Sequence, residues 1–271
     1  MKVLLLDGYN MLYRARSVPS SLGSTGGEDN GTVYTFFRSL RYTVDLHKPD
    51  RVYFVMEGIP RDRIAAHGEY KAQRIYHDKD EFQRQRRKII DLMQNYLPIH
   101  LVRHPDYECD DVLAAIAQYT HADDECIIVS TDTDFFQVFN TCKNVKLYNP
   151  VKKSFVEPVD YDYVSYKALK GDSSDNIEGF KGVGDKRAKS LISNPDALKT
   201  FLSEGDNRDK FNKNLYLIKF HDLKEQLKFL QTTFIGLRDS ELRAEFDALD
   251  FKSITNDISW KKFTKTFEEL L

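Results

Sequence analysis

Nine carboxylates in this 271-residue chain have types and spacings that can do chemistry. Asp7 stands in "KVLLLDG", Glu57 in "RVYFVMEG", Glu108, Asp110 and Asp111 in "YECDDVLAAIA", Asp132 and Asp134 in "STDTD", and Asp172 and Asp175 in "GDSSDN". Taken singly, each has an ordinary explanation: an acid at a helix start caps it or answers its dipole, and an Asp after a strand is a turn residue. Gathered within a few ångströms, so many carboxylates repel one another strongly unless divalent cations hold them. All-oxygen ligation without His or Cys selects Mg²⁺ or Mn²⁺. The chemistry this implies is two-metal hydrolysis of a phosphodiester.

The elements that must gather them are legible as apolar runs. Residues 2–8, 51–58 and 125–132 are short stretches rich in Val, Ile, Leu or aromatics, each closed by Gly or a polar cluster, and read as buried strands. Helical patterns over 32–47 and 110–120 lie between them, an order that implies a mainly parallel sheet with helices on both faces. On that scaffold Asp7, Glu57, Asp132 and Asp134 fall at strand C-termini, the edge on which open α/β sheets bind ligands. Glu108, Asp110 and Asp111 open a helix. From about residue 161 the chain reads as almost wholly helical, so an α/β core over 1–160 and a helical lobe over 161–271 are expected, with Asp172 and Asp175 reaching over from the lobe.

Composition narrows the class. With 41% apolar and 30% charged residues the chain is globular, and no stretch approaches the roughly 18 apolar residues of a membrane span, which places it in a cytoplasm. Cys109, Cys126 and Cys142 form neither a CxxC pair nor an even set, so they are expected to be reduced thiols. A net charge of −2 is unusual for a nucleic-acid protein, but residues 61–88 hold nine Lys or Arg against five Asp or Glu. Two bound Mg²⁺ would turn the formal −2 into +2.

Five blocks, "LLLDGYNMLYRA", "EYKAQR", "YECDDVLAAIA", "STDTDFFQVF" and "KGDSSDNIEGFKGVGDKRA", resemble in type and order the motifs of the flap endonuclease/5′-nuclease family, in particular the phage enzymes and the 5′-nuclease domains of bacterial DNA polymerase I. The resemblance covers residues 3 to about 190, and its last block is the most specific. It implies a PIN-like mainly parallel sheet, a helical arch over about 60–95, and a C-terminal helical lobe whose residues 161–195 contain a helix-three-turn-helix hairpin. It also implies that Asp7, Glu108, Asp110, Asp111, Asp132, Asp134, Asp172 and Asp175 hold Mg²⁺, with Mn²⁺ able to substitute. Glu57 departs from the family's Asp at that strand end, and Cys109 from its Ala, where a small buried side chain is expected.

By the same resemblance Tyr70, Lys71 and Arg74 belong to the arch. Lys71 and Arg74, one helical turn apart, are expected to stabilise charge on the scissile phosphate, and Tyr70 to stack on an unpaired base. In the hairpin, Gly182 and Gly184 let backbone N–H groups approach a phosphate, a helix N-terminus adds its dipole, and Lys186, Arg187 and Lys189 strengthen the grip on duplex backbone. In relatives this hairpin takes K⁺. The expected substrate is DNA with a 5′ flap, nick, gap or RNA-primed end, cut by a monomer through in-line attack of a metal-activated water, in replication or repair. The alternatives are a PIN-type ribonuclease, which needs neither arch nor hairpin, and a non-catalytic junction binder, which would have lost acids.

Overall fold

The run KVLLLD forms the first strand, β1 (Lys2–Asp7), and its alternate side chains serve two cores: Leu4 and Leu6 pack into one, Val3 and Leu5 into the other. A strand buried on both faces has no polar face to show, which is why it reads as an unbroken apolar run. A computed structural model describes residues 1–18, 24–25, 28–73 and 79–270 of the chain. Among these, β1 is joined in one sheet by β2 (Arg51–Met56), β3 (His100–Arg103), β4 (Glu125–Val129), β5 (Val145–Asn149), β6 (Ser154–Val156) and β7 (Gln231–Thr233). The order across the sheet is β7-β3-β2-β1-β4-β5-β6. The five central strands are parallel and the two edges, β7 and β6, are antiparallel to their neighbours. Strand order reverses at β1, so a crevice opens between the C-terminal ends of β1 and β4.

Helices α1 (Gly8–Arg16) and α2 (Gly31–His47) cover one face. After β2 the short α3 (Arg61–Ala66) leads into residues 67–73, and α4 (Lys79–Tyr96) returns to the same face. Phe82, Ile89, Leu92 and Met93 lie on one side of α4 and bury in the core, because their spacing is that of an apolar helical stripe. Helix α5 (Cys109–Ala115), continued by a wider turn to Thr120, packs on the other face.

A third cluster belongs to the lobe. Helices α6 (Tyr163–Lys170), α7 (Asp185–Ser193), α8 (Pro195–Leu202) and α9 (Asn207–Ile218) surround Leu169, Ile177, Phe180, Ala188, Phe211 and Leu217. The chain then leaves the lobe, which the sequence reading did not anticipate. Strand β7 pairs with β3, and α10 (Asp239–Ala248), α11 (Lys252–Thr255) and α12 (Asp257–Phe267) bury Phe246, Phe251, Trp260, Phe263 and Phe267 in the core that holds α1 and α2. There these aromatic side chains are almost completely buried. None of the described helices is long and apolar enough to cross a membrane.

Candidate active site

A cavity of about 630 Å³ opens at the crevice beside β1 and is lined by Asp7, Glu57, Asp110, Asp132, Asp134, Asp172 and Asp175, together with Tyr9, Asn10, Tyr13, Lys71 and Lys167. Seven of the nine acids singled out in the sequence therefore meet there. Asp7 is the last residue of β1 and caps α1, its Oδ1 accepting from Asn10 N–H at 3.0 Å and its Oδ2 from Ser130 Oγ at 2.7 Å. Glu57 follows β2 and uses its extra methylene to accept the N–H of Cys109 at 3.1 Å, which ties it to the start of α5. Asp132 caps the turn that carries Asp134, accepting its N–H at 2.9 Å. Asp172 caps the turn that carries Asp175 by accepting from Ser174 N–H at 2.8 Å.

Two groups in this cavity have ligand spacing. Atoms of Asp7, Cys109 and Asp110 lie within 4.8 Å of one another, as do those of Asp134, Asp172 and Asp175. Asp132 lines the same cavity and pushes up the pKa of acids in both groups. Burial and this crowding push Asp7, Glu57, Asp110 and Asp134 toward their neutral forms. Asp7 rises to about 6, chiefly through burial, with Asp132 adding to it. Asp134 also rises to about 6, through burial and Asp132, and Glu57 to about 7, through burial with Glu108 and Asp7 contributing. Asp110 is driven well above the carboxylate range by burial, Asp132, Asp7 and Glu57. Burial works the same way on Asp172, but Lys167 at 2.5 Å outweighs it and holds that carboxyl below its ordinary value. Crowded oxygens that are costly to ionise together fit hard divalent cations, which make the charged forms favourable.

Two acids stand behind the cavity. Asp111 is fully buried and gives both oxygens to Arg63, at 2.5 and 2.9 Å, and one of them also to the N–H of His221 at 2.8 Å. Its expected place among the metal ligands is not supported, because a helix turns successive residues about 100° apart and Asp110 already faces the cavity. Glu108 is held by Arg63 at 2.5 Å, by Tyr70 Oη at 2.9 Å and by the Lys71 ammonium, at the border of the cavity. Tyr70 also differs from expectation: its ring is only 6% exposed and packs in the lobe's core, so it cannot stack on a base. Lys71 lines the cavity with its backbone at φ 56°, its N–H donating to Asp175 O at 3.1 Å and its ammonium 3.8 Å from the Asp175 carboxylate. Arg74 lies outside the described residues.

Of the two hairpin glycines, only Gly182 is required by the backbone. Gly182 has φ 74°, which an L side chain rarely adopts. Gly184 has φ −93° as the N-cap of α7, and a Cβ there would meet nothing within 4 Å, so the fold itself does not demand glycine. Lys186, Arg187 and Lys189 are exposed on α7, with Lys189 over the rings of Tyr161 and Tyr166 and Arg187 over Phe201. Sequence reasoning missed two cations. Lys167 bridges Asp134 and Asp172 at 2.5 Å each, and Arg63 joins α3 to α5 and to the end of α9. The signal for Lys167 was its place about a turn and a half before Asp172 on a helix that ends at the acidic loop. Cys109 is buried as expected, its thiol donating to Val55 O at 3.3 Å, and all three cysteines are free.

Residues 2–168 match the family model of the 5′-3′ exonuclease N-terminal resolvase-like domain, and residues 159–257 match that of the 5′-3′ exonuclease C-terminal SAM fold. The chain belongs to the 5′-3′ exonuclease family. The two matched regions meet near residue 160, where α6 begins the lobe. This exonuclease-family chain is 30% identical over 289 residues to the thermostable DNA polymerase I of Thermus aquaticus, which covers 99% of the chain and 34% of the polymerase. It thus spans about a third of the length of the polymerase relatives it matches. It is 28% identical to a 5′-3′ exonuclease of Aquifex aeolicus, with 95% of the chain and 96% of that protein covered. Its fold is similar to that of the bacteriophage T5 flap endonuclease solved with DNA and metal ions, at a TM-score of 0.64, 18% identity, and coverage of 99% of this chain and 98% of that one. The T5 5′-exonuclease with bound zinc is similar at a TM-score of 0.60 and 19% identity, with 100% and 99% covered.

The raised acids give this exonuclease-family chain a pH signature without metal. Between the ordinary value of 4.5 and about 7, the folded protein keeps a proton on Glu57 that the unfolded chain has lost, so stability falls as pH rises through that window. At about 1.4 kcal/mol per unit the full effect is on the order of 3 kcal/mol. Glu57→Gln removes it. In chelator-treated protein, the variant is expected to gain stability over the parent at pH 8 and to gain little or nothing at pH 4.5. Denaturant melts at the two pH values check this, and a gain that did not grow with pH would contradict it.

Proposed function

We propose that this chain is a divalent-metal-dependent 5′-nuclease that hydrolyses DNA phosphodiesters near single-strand/duplex junctions. The observation that carries the reading is the meeting of acids at the switch point of the sheet, Asp7 and Asp110 of the α/β core beside the Cys109 thiol and Asp134 beside Asp172 and Asp175 of the lobe, in a cavity that Lys71 also lines. Asp7, Asp110 and Glu57 would hold one Mg²⁺, Asp134, Asp172 and Asp175 the other, and Asp132 both; Mn²⁺ would substitute. Such ions, when bound, lower the pKa of an attacking water and neutralise the phosphate oxygens. The protein's own part is to place the phosphate: Lys71 would donate to its oxygens, and Lys167 holds Asp134 and Asp172 in register.

In this reading the hairpin grips duplex backbone. The open side of Gly184 admits a phosphate to the first N–H groups of α7, Lys186, Arg187 and Lys189 flank it, and K⁺ would sit on hairpin carbonyls. The segment over about 60–95 is proposed as the arch that meets the single strand; Arg74, assigned to it by resemblance, lies outside the described residues. The substrate would be a 5′ flap, nick, gap or RNA-primed end, met by a monomer in the cytoplasm, in replication or repair.

A 5′-flap DNA labelled at either end tests the reading. With Mg²⁺, cleavage within a few nucleotides of the junction is expected, leaving a 5′-phosphate, with little cleavage of single-stranded RNA. Preference for the RNA would favour a PIN-type ribonuclease, and binding of the flap without cleavage would favour the junction binder.

A further inference from the structure

The turn that carries Asp175 is bonded, carbonyl by carbonyl, to the stretch 67–73. Ser173 O accepts from the Gln73 side chain, Asp175 O from the Lys71 N–H at 3.1 Å, and Asn176 O from His67 Nε2–H at 3.1 Å. A carbonyl oxygen can only accept, so Nε2 carries the ring proton, and Nδ1 is left to accept from the Lys213 ammonium of α9 at 3.2 Å. One bond runs the other way: the Asn176 side-chain amide donates to Glu69 O at 3.0 Å. Asn176 thus meets the stretch with its carbonyl and its amide together, and it is not one of the ligand-spaced acids. Its backbone is left-handed at φ 59°, as is that of Lys71 at 56°. Asparagine accepts such a backbone more readily than most side chains do. A left-handed lysine is strained and must be held by its surroundings, and the bonds of this joint flank it on both sides.

We infer that Asn176 is a positioning residue: its amide ties Glu69 O, and its carbonyl ties His67, to the Asp175 turn, and so it sets Lys71 beside Asp134, Asp172 and Asp175. The inference rests on the proposed role of Lys71 at the phosphate. Asn176 itself need touch neither substrate nor metal. Because its side chain is neutral, removing the amide leaves the charge of the cavity as it was.

Asn176→Gly isolates that amide, since glycine takes a left-handed backbone without strain and keeps the carbonyl that His67 uses. The first readout is hydrogen exchange in the metal-free chain, followed by amide NMR. Loss of one neutral hydrogen bond shifts an equilibrium by about fivefold, so the Lys71 N–H, bonded to Asp175 O, is expected to exchange about fivefold faster, while the Leu5 N–H of the central strand β1 keeps its parental rate. A parental rate at Lys71, or an equal acceleration at Leu5 marking general loss of stability, would overturn the positioning role. The second readout is single-turnover cleavage of a 5′-flap DNA with Mg²⁺. Asn176→Gly is expected to slow the parent by about fivefold with the DNA dissociation constant unchanged, and to slow Lys71→Ala hardly at all, since it acts through Lys71. The same loss in both backgrounds would overturn it. A parent that leaves the flap uncut would sink the nuclease reading instead, and the exchange comparison, which needs neither substrate nor metal, then decides the placement of Lys71 alone. If Asn176→Gly does not fold, His67→Ala opens the same joint from its other side, and the same comparisons apply.

Discussion

Asp110→Asn and Asp132→Asn are each expected to reduce cleavage of a 5′-flap DNA by at least about 10³-fold, the effect of losing several kcal/mol of charge stabilisation at the metals. Junction binding measured in Ca²⁺ should change little, because under the proposed function the affinity would come from phosphate contacts of basic residues such as those of the hairpin and not from the acids. The structure adds a control that separates this from misfolding. Burial and then Asp132, Asp7 and Glu57 hold metal-free Asp110 toward its neutral form, which an uncharged amide resembles, so metal-free Asp110→Asn should melt no lower than the parent. Asparagine at 132 keeps an acceptor for Asp134 N–H and preserves that turn. Wild-type turnover in either variant would remove these residues from the metal site.

Lys71→Ala is expected to lower the single-turnover rate by about 10²-fold at saturating metal with a far smaller change in DNA affinity, since one donor to a developing oxyanion is worth roughly 3 kcal/mol. Lys71 is held at φ 56°, where an L residue is strained, by its own N–H on Asp175 and by its ammonium between Glu108 and Asp175. That placement sets it beside the acids before any substrate arrives. Equal losses in rate and in binding would make it a tether instead. Rates with excess enzyme, read beside dissociation constants for the same flap, decide between the two.

The site was legible because it is local. Asp7, Glu57, Asp132 and Asp134 follow apolar runs whose burial on both faces leaves an unmistakable pattern, and Asp172 and Asp175 sit in a loop with its own turn chemistry. Strands β3 and β7 were not legible: four and three residues long, with polar or charged ends, they are strands because neighbours pair with them. The same holds for the buried ion pair. That Asp111 answers Arg63 rather than a metal depends on a contact 48 residues away, and Tyr70 reads as an exposed aromatic until the lobe closes over it. Residue type and spacing report what a segment can do alone, whereas a buried ion pair is a property of two segments at once.

The return of residues 231–267 to the sheet means that the lobe is topologically an insertion. Strand β7 completes an edge begun at residue 100, and Phe246, Phe263 and Phe267 close a core begun by α2. During synthesis the α/β half therefore stays open until its last helices have emerged, even though every carboxylate of the site was made long before. Contacts so distant along the chain are slow to form because the loop between them must first be closed. The lobe's helices contact one another locally, and Tyr70, which its core takes from outside, is made before it, so the lobe can reach its packing earlier and wait. Folding order and the order of the motifs along the chain thus run against each other, and the nascent chain carries its complete set of acidic side chains for some time without the finished framework that places them.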